Sequence, residues 1–330
     1  MIHSLLSQRN YCIRLFRPAV ARTSHPQNRI PTIELWVRRT LAADPPRAKS
    51  LVVTVFGDAV APHGGCVRLK GLIELFRPFA INERLVRTSV FRLVKEDWLE
   101  ASRNGRESSY ELTKSGRHRL GYASARVYRR VLDPWEGNWT LILVRSDEVS
   151  PERRQQLRQE LEWEGIRQLG PQLYGHPRIQ AGLLAELLDR VGLRKQVISF
   201  RNAAVDRIGT GDFRELINER WNLAAVVKQY QEFLRNFSQI KEVLECSADL
   251  LPQHWFVIRI LAIHAFRRVV LHDPLLPEEL LPRPWIGNAA YQLAGEIYRL
   301  SLLGSEMHLA SVCGFDKATQ CKAILAERFR

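Results

Sequence analysis

Along this chain the apolar positions change period twice, and the changes mark out its elements. From Glu83 to Asp97 apolar side chains recur at Val86, Val90, Leu93 and Val94, spacings of three and four that build one helical face. Asn82 has the side chain of an N-cap, and Glu83 suits the first turn, where the helix dipole favours an anion. Directly afterwards Trp98-Leu99-Glu100-Ala101-Ser102 and Ser108-Ser109-Tyr110-Glu111-Leu112 alternate with period two around Asn104-Gly105, which predicts a hairpin with an Asn-Gly turn. Upstream, Ser50 to Val60 reads as an apolar helix, Pro62-His63-Gly64-Gly65 as a turn, and Val67-Arg68-Leu69 as a short strand. Lys70 to Arg77 reads as a second helix, stopped by Pro78. Thr113 caps a helix running to Arg130, and Asp133-Pro134 marks a boundary.

Beyond it, Trp139-Thr140-Leu141-Ile142-Leu143-Val144 has the pattern of a buried strand. A helix follows from Pro151 at N1 to Trp163, then strand-like segments around 165–175, a helix from Arg178 to Val191 and a last strand from Lys195 to Phe200. Strands alternating with helices over so short a stretch predict a small ferredoxin-like α+β sandwich. From Asp212 the pattern is helical, with segments Asp212–Leu244, Pro252–Leu271 and Trp285–Leu302 and the Pro-rich link Asp273–Pro284 between the last two. At the other end, Ile33 to Arg39 is a short amphipathic stretch broken by Asp44-Pro45-Pro46, so order is expected to begin near Thr32. Residues 1–31 read as a disordered basic extension; they are Arg-rich like an organelle transit peptide but lack a secretory apolar segment. A disordered basic arm, or an upstream start codon that lengthens the chain, is the stronger reading.

Charge sharpens the picture. Residues 1–48 carry 8 Lys/Arg against 2 Asp/Glu, residues 49–131 carry 16 against 8 and residues 132–330 carry 25 against 25, so the whole net charge of +14 lies in the first 131 residues. Such asymmetry points to a polyanion. Arg84, Arg87, Thr88, Arg92 and Lys95 fall on the helix surface away from Val86 and Val90, and Arg103 and Arg106 lie on the hairpin. A cationic helix followed by a cationic hairpin is the pattern of a winged helix-turn-helix, with the helix in a major groove and the hairpin on neighbouring phosphates or the minor groove. A solvated surface helix beside an ordinary hairpin would carry the same periodicity; the charge distribution favours DNA.

Other chemistries find little support. The five cysteines, Cys12, Cys66, Cys246, Cys313 and Cys321, are dispersed without zinc spacing, as suits reduced thiols. No apolar run approaches the roughly 18 residues that span a bilayer. Gly64-Gly65 lacks the Gly-Lys-Ser/Thr of a phosphate loop, and no nucleophile elbow occurs. His254, His264 and His272 are spaced ten and eight apart, which puts them on no common helical metal face. No catalytic or metal-binding residues are expected.

Phe56-Gly57-Asp58, Pro62-His63-Gly64-Gly65, the run Asn82-Glu83-Arg84-Leu85-Val86-Arg87-Thr88-Ser89-Val90-Phe91-Arg92-Leu93 and Gly105-Arg106 resemble the PaaX family, repressors of phenylacetic acid degradation operons. Trp135-Glu136-Gly137-Asn138-Trp139 resembles the start of that family's central domain. Arg267-Arg268-Val269-Val270-Leu271, with Asp273-Pro274-Leu275-Leu276-Pro277-Glu278-Glu279-Leu280-Leu281-Pro282, resembles its C-terminal signature. Residues 1–31 and the tail from Gly304 to Arg330 fall outside the resemblance. It implies a cytoplasmic homodimer without enzymatic activity, cofactor or membrane partner. It also implies that the dimer binds double-stranded operator DNA and releases it when phenylacetyl-CoA, or a different acyl-CoA, accumulates.

The fold implied is a multidomain α+β chain: a winged helix-turn-helix DNA-binding domain over 32–131, a Cas2-like ferredoxin-like dimerisation domain over 132–200, and a mostly helical C-terminal domain over 201–330 serving as effector module. A CoA thioester needs cations for its phosphates and an apolar slot for its acyl group. His264, Arg267, Arg268 and Trp255 are the expected contacts, unless the two arginines neutralise Glu278-Glu279 instead. Trp135, Trp139 and Trp163 are expected in the core. Two alternatives remain. A metal-dependent nuclease would use Asp147 and Glu148, which follow the first central strand, although acids at strand ends are usually solvated. An RNA-binding protein would need an aromatic-rich strand motif, which is missing.

Overall fold

The computed structural model describes residues 29–105, 107–129, 134–145, 149–179, 181–204, 213–246, 250–315 and 324–330. Helix α1 (Arg29–Ala43) starts slightly before Thr32 and stops where Asp44-Pro45-Pro46 cannot continue it. Ile33 is fully buried, and the Trp36 indole donates to the Asn236 carbonyl at 3.3 Å while its ring meets Phe237 edge-on at 5.6 Å. Helix α2 (Ala48–Val55) buries Leu51, Val52, Val53 and Val55. The helix expected to reach Val60 loses α geometry at Phe56, where a π turn (Phe56–Val60) and a 3-10 turn (Ala61–His63) follow. Then come β1 (Cys66–Arg68), α3 (Leu69–Phe76), α4 (Glu83–Lys95), β2 (Leu99–Asn104), β3 (Glu107–Leu112) and α5 (Lys114–Tyr128). The three strands form one sheet in the order β1-β3-β2, both pairings antiparallel.

The hairpin corrects the Asn104-Gly105 turn. Asn104 pairs with Glu107, so it belongs to the ladder and not to the turn, and Gly105 at φ 60° supplies the left-handed position after it.

The central segment holds β4 (Asn138–Val144), α6 (Pro151–Trp163), β5 (Arg167–Gln168), β6 (Leu173–His176), α7 (Ala181–Arg190) and β7 (Val197–Ala204). Its sheet order is β5-β6-β4-β7 with every pair antiparallel, the split β-α-β arrangement expected of a ferredoxin-like sandwich. Leu157 and Leu161 of α6 and Leu184, Leu187 and Leu188 of α7 close a small core over Ile142, Val144 and Tyr174. Trp163, expected in that core, is 82 % exposed. It follows Leu161 by two residues, about 200° round the helix, and so faces away from the sheet. Trp139 is buried as expected, and its ring meets Trp135 and Trp221 edge-on at 6.3 and 5.9 Å. Trp221 also donates its indole N–H to the Gly165 carbonyl at 2.8 Å, which seats the sandwich on the C-terminal helices.

Those helices are α8 (Phe213–Arg220), α9 (Leu223–Glu245), α10 (Pro252–Val270) and α11 (Ile286–Cys313). The single helix expected over Asp212–Leu244 is broken at Asn222, whose φ is 47°. Helix α11 runs well past Leu302, and the end of the chain folds back. Phe329 is buried, its ring 5.3 Å from Tyr128, 5.2 Å from Tyr291 and 5.5 Å from Tyr298. Core residues of α1 to α5 and of α9 to α11 belong to one continuous apolar cluster.

At its centre lies a carboxylate. Asp58, in the π turn, is 1 % exposed. Arg259 of α10, fully buried, places Nε 2.8 Å from Asp58 Oδ2, and Arg328 places Nη1 3.2 Å from Oδ1. The Tyr128 hydroxyl donates to Oδ1 at 2.6 Å. The Asp58 carbonyl accepts from Arg328 at 2.8 Å and from Arg259 at 3.1 Å, and the Gly57 carbonyl accepts from Arg328 at 3.0 Å. Arg259 also donates to Glu306 at 2.8 Å, whose other oxygen lies 2.9 Å from His63 Nε2. Burial works against the Arg259 charge, but Asp58, Tyr298 and Glu306 outweigh it and hold the group above its ordinary range. Breaking a buried pair from one side strands the other charge, at a cost of about 3–5 kcal/mol. Asp58→Ala should therefore destabilise the chain by about that amount in urea denaturation; a loss below about 1 kcal/mol would show that the arginines find other partners.

Candidate nucleic-acid interface

Helix α4 is held from beneath. Val86, Val90 and Leu93 are buried against α2 and α3, and Asn82 Oδ1 accepts the Leu85 N–H at 3.0 Å to cap the helix. The same periodicity turns Arg84, Arg87, Thr88, Arg92 and Lys95 outward, and all five are exposed. Phe91, which sequence reasoning missed, sits in the same stripe; it is 58 % exposed, with Lys95 Nζ 4.8 Å from its ring centroid. Leu85 is also exposed. The available signal was phase: Leu85 and Phe91 fall outside the spacing that buries Val86, Val90 and Leu93.

Local contacts preset this face. Arg87 pairs with Glu83 at 2.7 Å, one helical turn away, and the Thr88 hydroxyl donates to the Arg84 carbonyl at 2.8 Å. Such an exposed pair is worth only a few tenths of a kcal/mol, so a phosphate or base edge exchanges for Glu83 at little cost. On the hairpin, Arg103 Nε donates to the Gly105 carbonyl at 3.3 Å; Arg106 lies outside the described residues. A helix of 13 residues is about 20 Å long and fits a major groove about 12 Å wide.

The four residues expected to hold an effector are not gathered. His264 is buried, Nδ1 2.9 Å from Thr54 Oγ1, where it bridges α10 to α2. Burial, reinforced by Arg267 and Arg268, pushes it down to about 4. Trp255 lies nine residues earlier on α10, half a turn out of phase, and rests on α11 where a Cβ at Gly304 would come within 2.2 Å of its ring. Arg268 is exposed and pairs with Asp44, not with Glu278-Glu279. Arg267 is mostly buried, which lowers its pKa, and its guanidinium has no hydrogen bond or ion pair among the described residues.

Arg267 opens instead onto a cleft of about 300 Å³ lined by Arg47, Lys49, Ser50 and Val53 of the α2 segment, Leu93 and Glu96 at the end of α4, and Trp98. Lys49 and Glu96 pair across it. Arg47 and Lys49 were not among the expected ligand contacts, because in sequence they are two unremarked cations at the start of α2.

Of the remaining expectations, Asp147 and Glu148 lie outside the described residues. Among those described, no three His, Cys, Asp or Glu side chains form a metal-holding group, and no helix is long and apolar enough to cross a membrane. Cys66 and Cys313 are free thiols.

Three family models match in chain order: a PaaX-like protein over residues 47–116, a PaaX protein central Cas2-like domain over 132–216 and a PaaX-like protein C-terminal domain over 221–311. The chain is 34 % identical over 268 residues to the transcriptional repressor PaaX of Escherichia coli (strain K12), covering 81 % of this chain and 84 % of that one. Among solved structures it is similar to the uncharacterized protein Rv0674 from Mycobacterium tuberculosis, with a TM-score of 0.52 and 22 % identity over 80 % of this chain and 98 % of that one, a likeness of fold.

The buried histidines give the chain an acid-sensitive stability. His176, like His264, is pushed down to about 4 by burial. Unfolded, each titrates near the ordinary value of about 6.5, so between those two values the unfolded chain binds more protons. Stability is therefore full above about pH 6.5 and lost as the pH falls toward 4, each histidine adding a slope of up to about 1.4 kcal/mol per pH unit. Urea denaturation at pH 7.5, 6 and 5 should show this loss, and His264→Gln should make it shallower; midpoints independent of pH would contradict neutral burial.

Proposed function

The chain belongs to the PaaX-like protein family, and from that membership we propose that it is a DNA-binding transcriptional repressor of phenylacetate catabolic genes, acting in the cytoplasm as a homodimer and released from its operator by phenylacetyl-CoA. The outward stripe Arg84-Arg87-Thr88-Phe91-Arg92-Lys95 on α4 carries the reading. Its setting supports a winged helix-turn-helix: α2, α3 and α4 pack together, and the β1-β3-β2 sheet presents the hairpin beside α4. In this reading α4 enters the major groove, while Arg103 and Arg106 hold backbone from the wing.

One recognition helix reads few base pairs, so operator specificity needs two half-sites and a two-fold dimer. An interface through the central sandwich is supported by β7, an edge strand whose Ile198 and Phe200 are exposed. Arg87→Ala should weaken operator binding by about 1–3 kcal/mol and relax specificity at one base pair. Arg106→Ala should weaken binding to all sequences and reduce the salt slope by about one. Light scattering should return twice the 38.1 kDa chain, and a monomer for Phe200→Glu. Operator affinity unchanged in both arginine variants would remove α4 and the wing as the reading surface.

Release requires that phenylacetyl-CoA prefer the form that cannot bind DNA, and by linkage the operator then weakens phenylacetyl-CoA binding by the same factor. Moving the population from 1:99 to 99:1 takes about 5.5 kcal/mol, which two effector sites per dimer share. In mobility-shift titrations phenylacetyl-CoA should free the operator and phenylacetate should not. Release by phenylacetate, or by neither, would reassign the effector.

A further inference from the structure

We propose that the cleft between the first turn of α2, the end of α4 and Arg267 of α10 is a binding site for an organic phosphate, and that it receives the phosphate-bearing part of the CoA thioester; the identity of that ligand rests on the effector reading above, the site does not.

Three cations, Arg47, Lys49 and Arg267, meet one acid, Glu96, around the cleft. Arg267 is the telling one. A guanidinium offers five N–H donors, yet this mostly buried group makes no hydrogen bond or ion pair among the described residues, and its Nε is buried without a partner. A buried unpaired donor is costly to maintain and is relieved by an acceptor arriving from outside. A second feature points the same way. Helix α2 has no side-chain cap at Arg47, so its first N–H groups are left for an anion beside Lys49 and Ser50.

The remaining walls suit an organic ligand better than a free ion. Val53 and Leu93 are apolar, and Trp98, half-buried, offers a flat surface. A volume of about 300 Å³ is at the lower end for small-molecule sites. On the far side of Arg267 a second void, lined by Val53, Gly57, Leu120, Val127 and Ile263, has room of about 20 Å³. That is space for one water, too little for an aromatic ring, so the acyl group belongs in the cleft against Val53, Leu93 and Trp98.

The position also gives the site a lever. Glu96 is the C-cap residue of α4, and Trp98 leads into β2. A phosphate arriving at Lys49 competes with Glu96 for it and places two anions side by side. The end of the DNA-facing helix and the base of the hairpin are thus in direct contact with the ligand.

Isothermal titration of the full chain with phenylacetyl-CoA, and separately with free CoA, tests the assignment. Arg267→Met and Arg47→Ala should each weaken both ligands about tenfold or more, in variants whose melting shows them folded. Glu96→Gln should tighten both several-fold by removing the competing anion, a gain that damage to the fold would not produce. CoA binding that depends on Arg47 and Arg267 without operator release would keep the site and discard the switch. Phenylacetyl-CoA that binds all three variants as it binds the unaltered chain would overturn the site and leave the effector reading standing. Binding of neither ligand to the unaltered chain would overturn both.

Discussion

Asp58 is a carboxylate withdrawn from water, and the rest of the molecule is arranged so that this is tolerable. Its partners come from the end of α5, from α10 and from the last turn of the chain, and Arg259 extends the network to Glu306 of α11 and to His63. The π turn is what makes the convergence possible. Widening the helix at Gly57-Asp58 directs two backbone carbonyls and the carboxylate toward two guanidiniums. Because α2 and α4 bury their apolar faces together, the cationic helix α4 inherits the position of Asp58. The N-terminal helices cannot swing away from α10 and α11 without exposing unpaired buried charge, so this junction is a rigid floor and not a hinge.

What could be read beforehand follows from range. Helix α4, the hairpin, the ferredoxin-like strand order and the helical C-terminal part all rest on local periodicity, and the structure contains each. The Asp58 network is legible nowhere in that signal. Arg259 interrupts the apolar run of α10 as an ordinary cation would, and Arg328 lies in a tail that offered no pattern; only the fold brings them within 3.2 Å of one carboxylate. Errors of phase explain the local misses. Trp163 and Phe91 are apolar residues outside the buried spacing, and Asn104, expected in the hairpin turn, instead completes a pair with Glu107. The expected ligand residues are spread apart for the same reason, since His264 and Trp255 share a helix but not a face, and of the four Arg267 lines the cleft.

A rigid floor constrains how a ligand in the cleft could act on the cationic face of α4. With α2 tied to α10 through Thr54 and His264 as well as through Asp58, the segment left free to respond is the one past the last buried anchor of α4, Leu93. That segment, Glu96 to Trp98, has an exposed ion pair to Lys49 and the Arg119 guanidinium 5.2 Å over the Trp98 ring, and hydrogen bonds from Arg119 to the Glu96 carbonyl at 3.1 Å and from the Thr113 hydroxyl to the Asp97 carbonyl at 2.8 Å tie it to the start of α5. Arg84, near the other end of α4, is twelve residues from Glu96, about 18 Å along the helix. A helix transmits a displacement over such a distance as a tilt, and under the proposed DNA reading a small tilt of its cationic face is enough to break simultaneous contact with bases and backbone. The buried charge network therefore fixes α2 against α10, and the exposed Lys49–Glu96 pair is the contact at the end of α4 that a ligand in the cleft meets first.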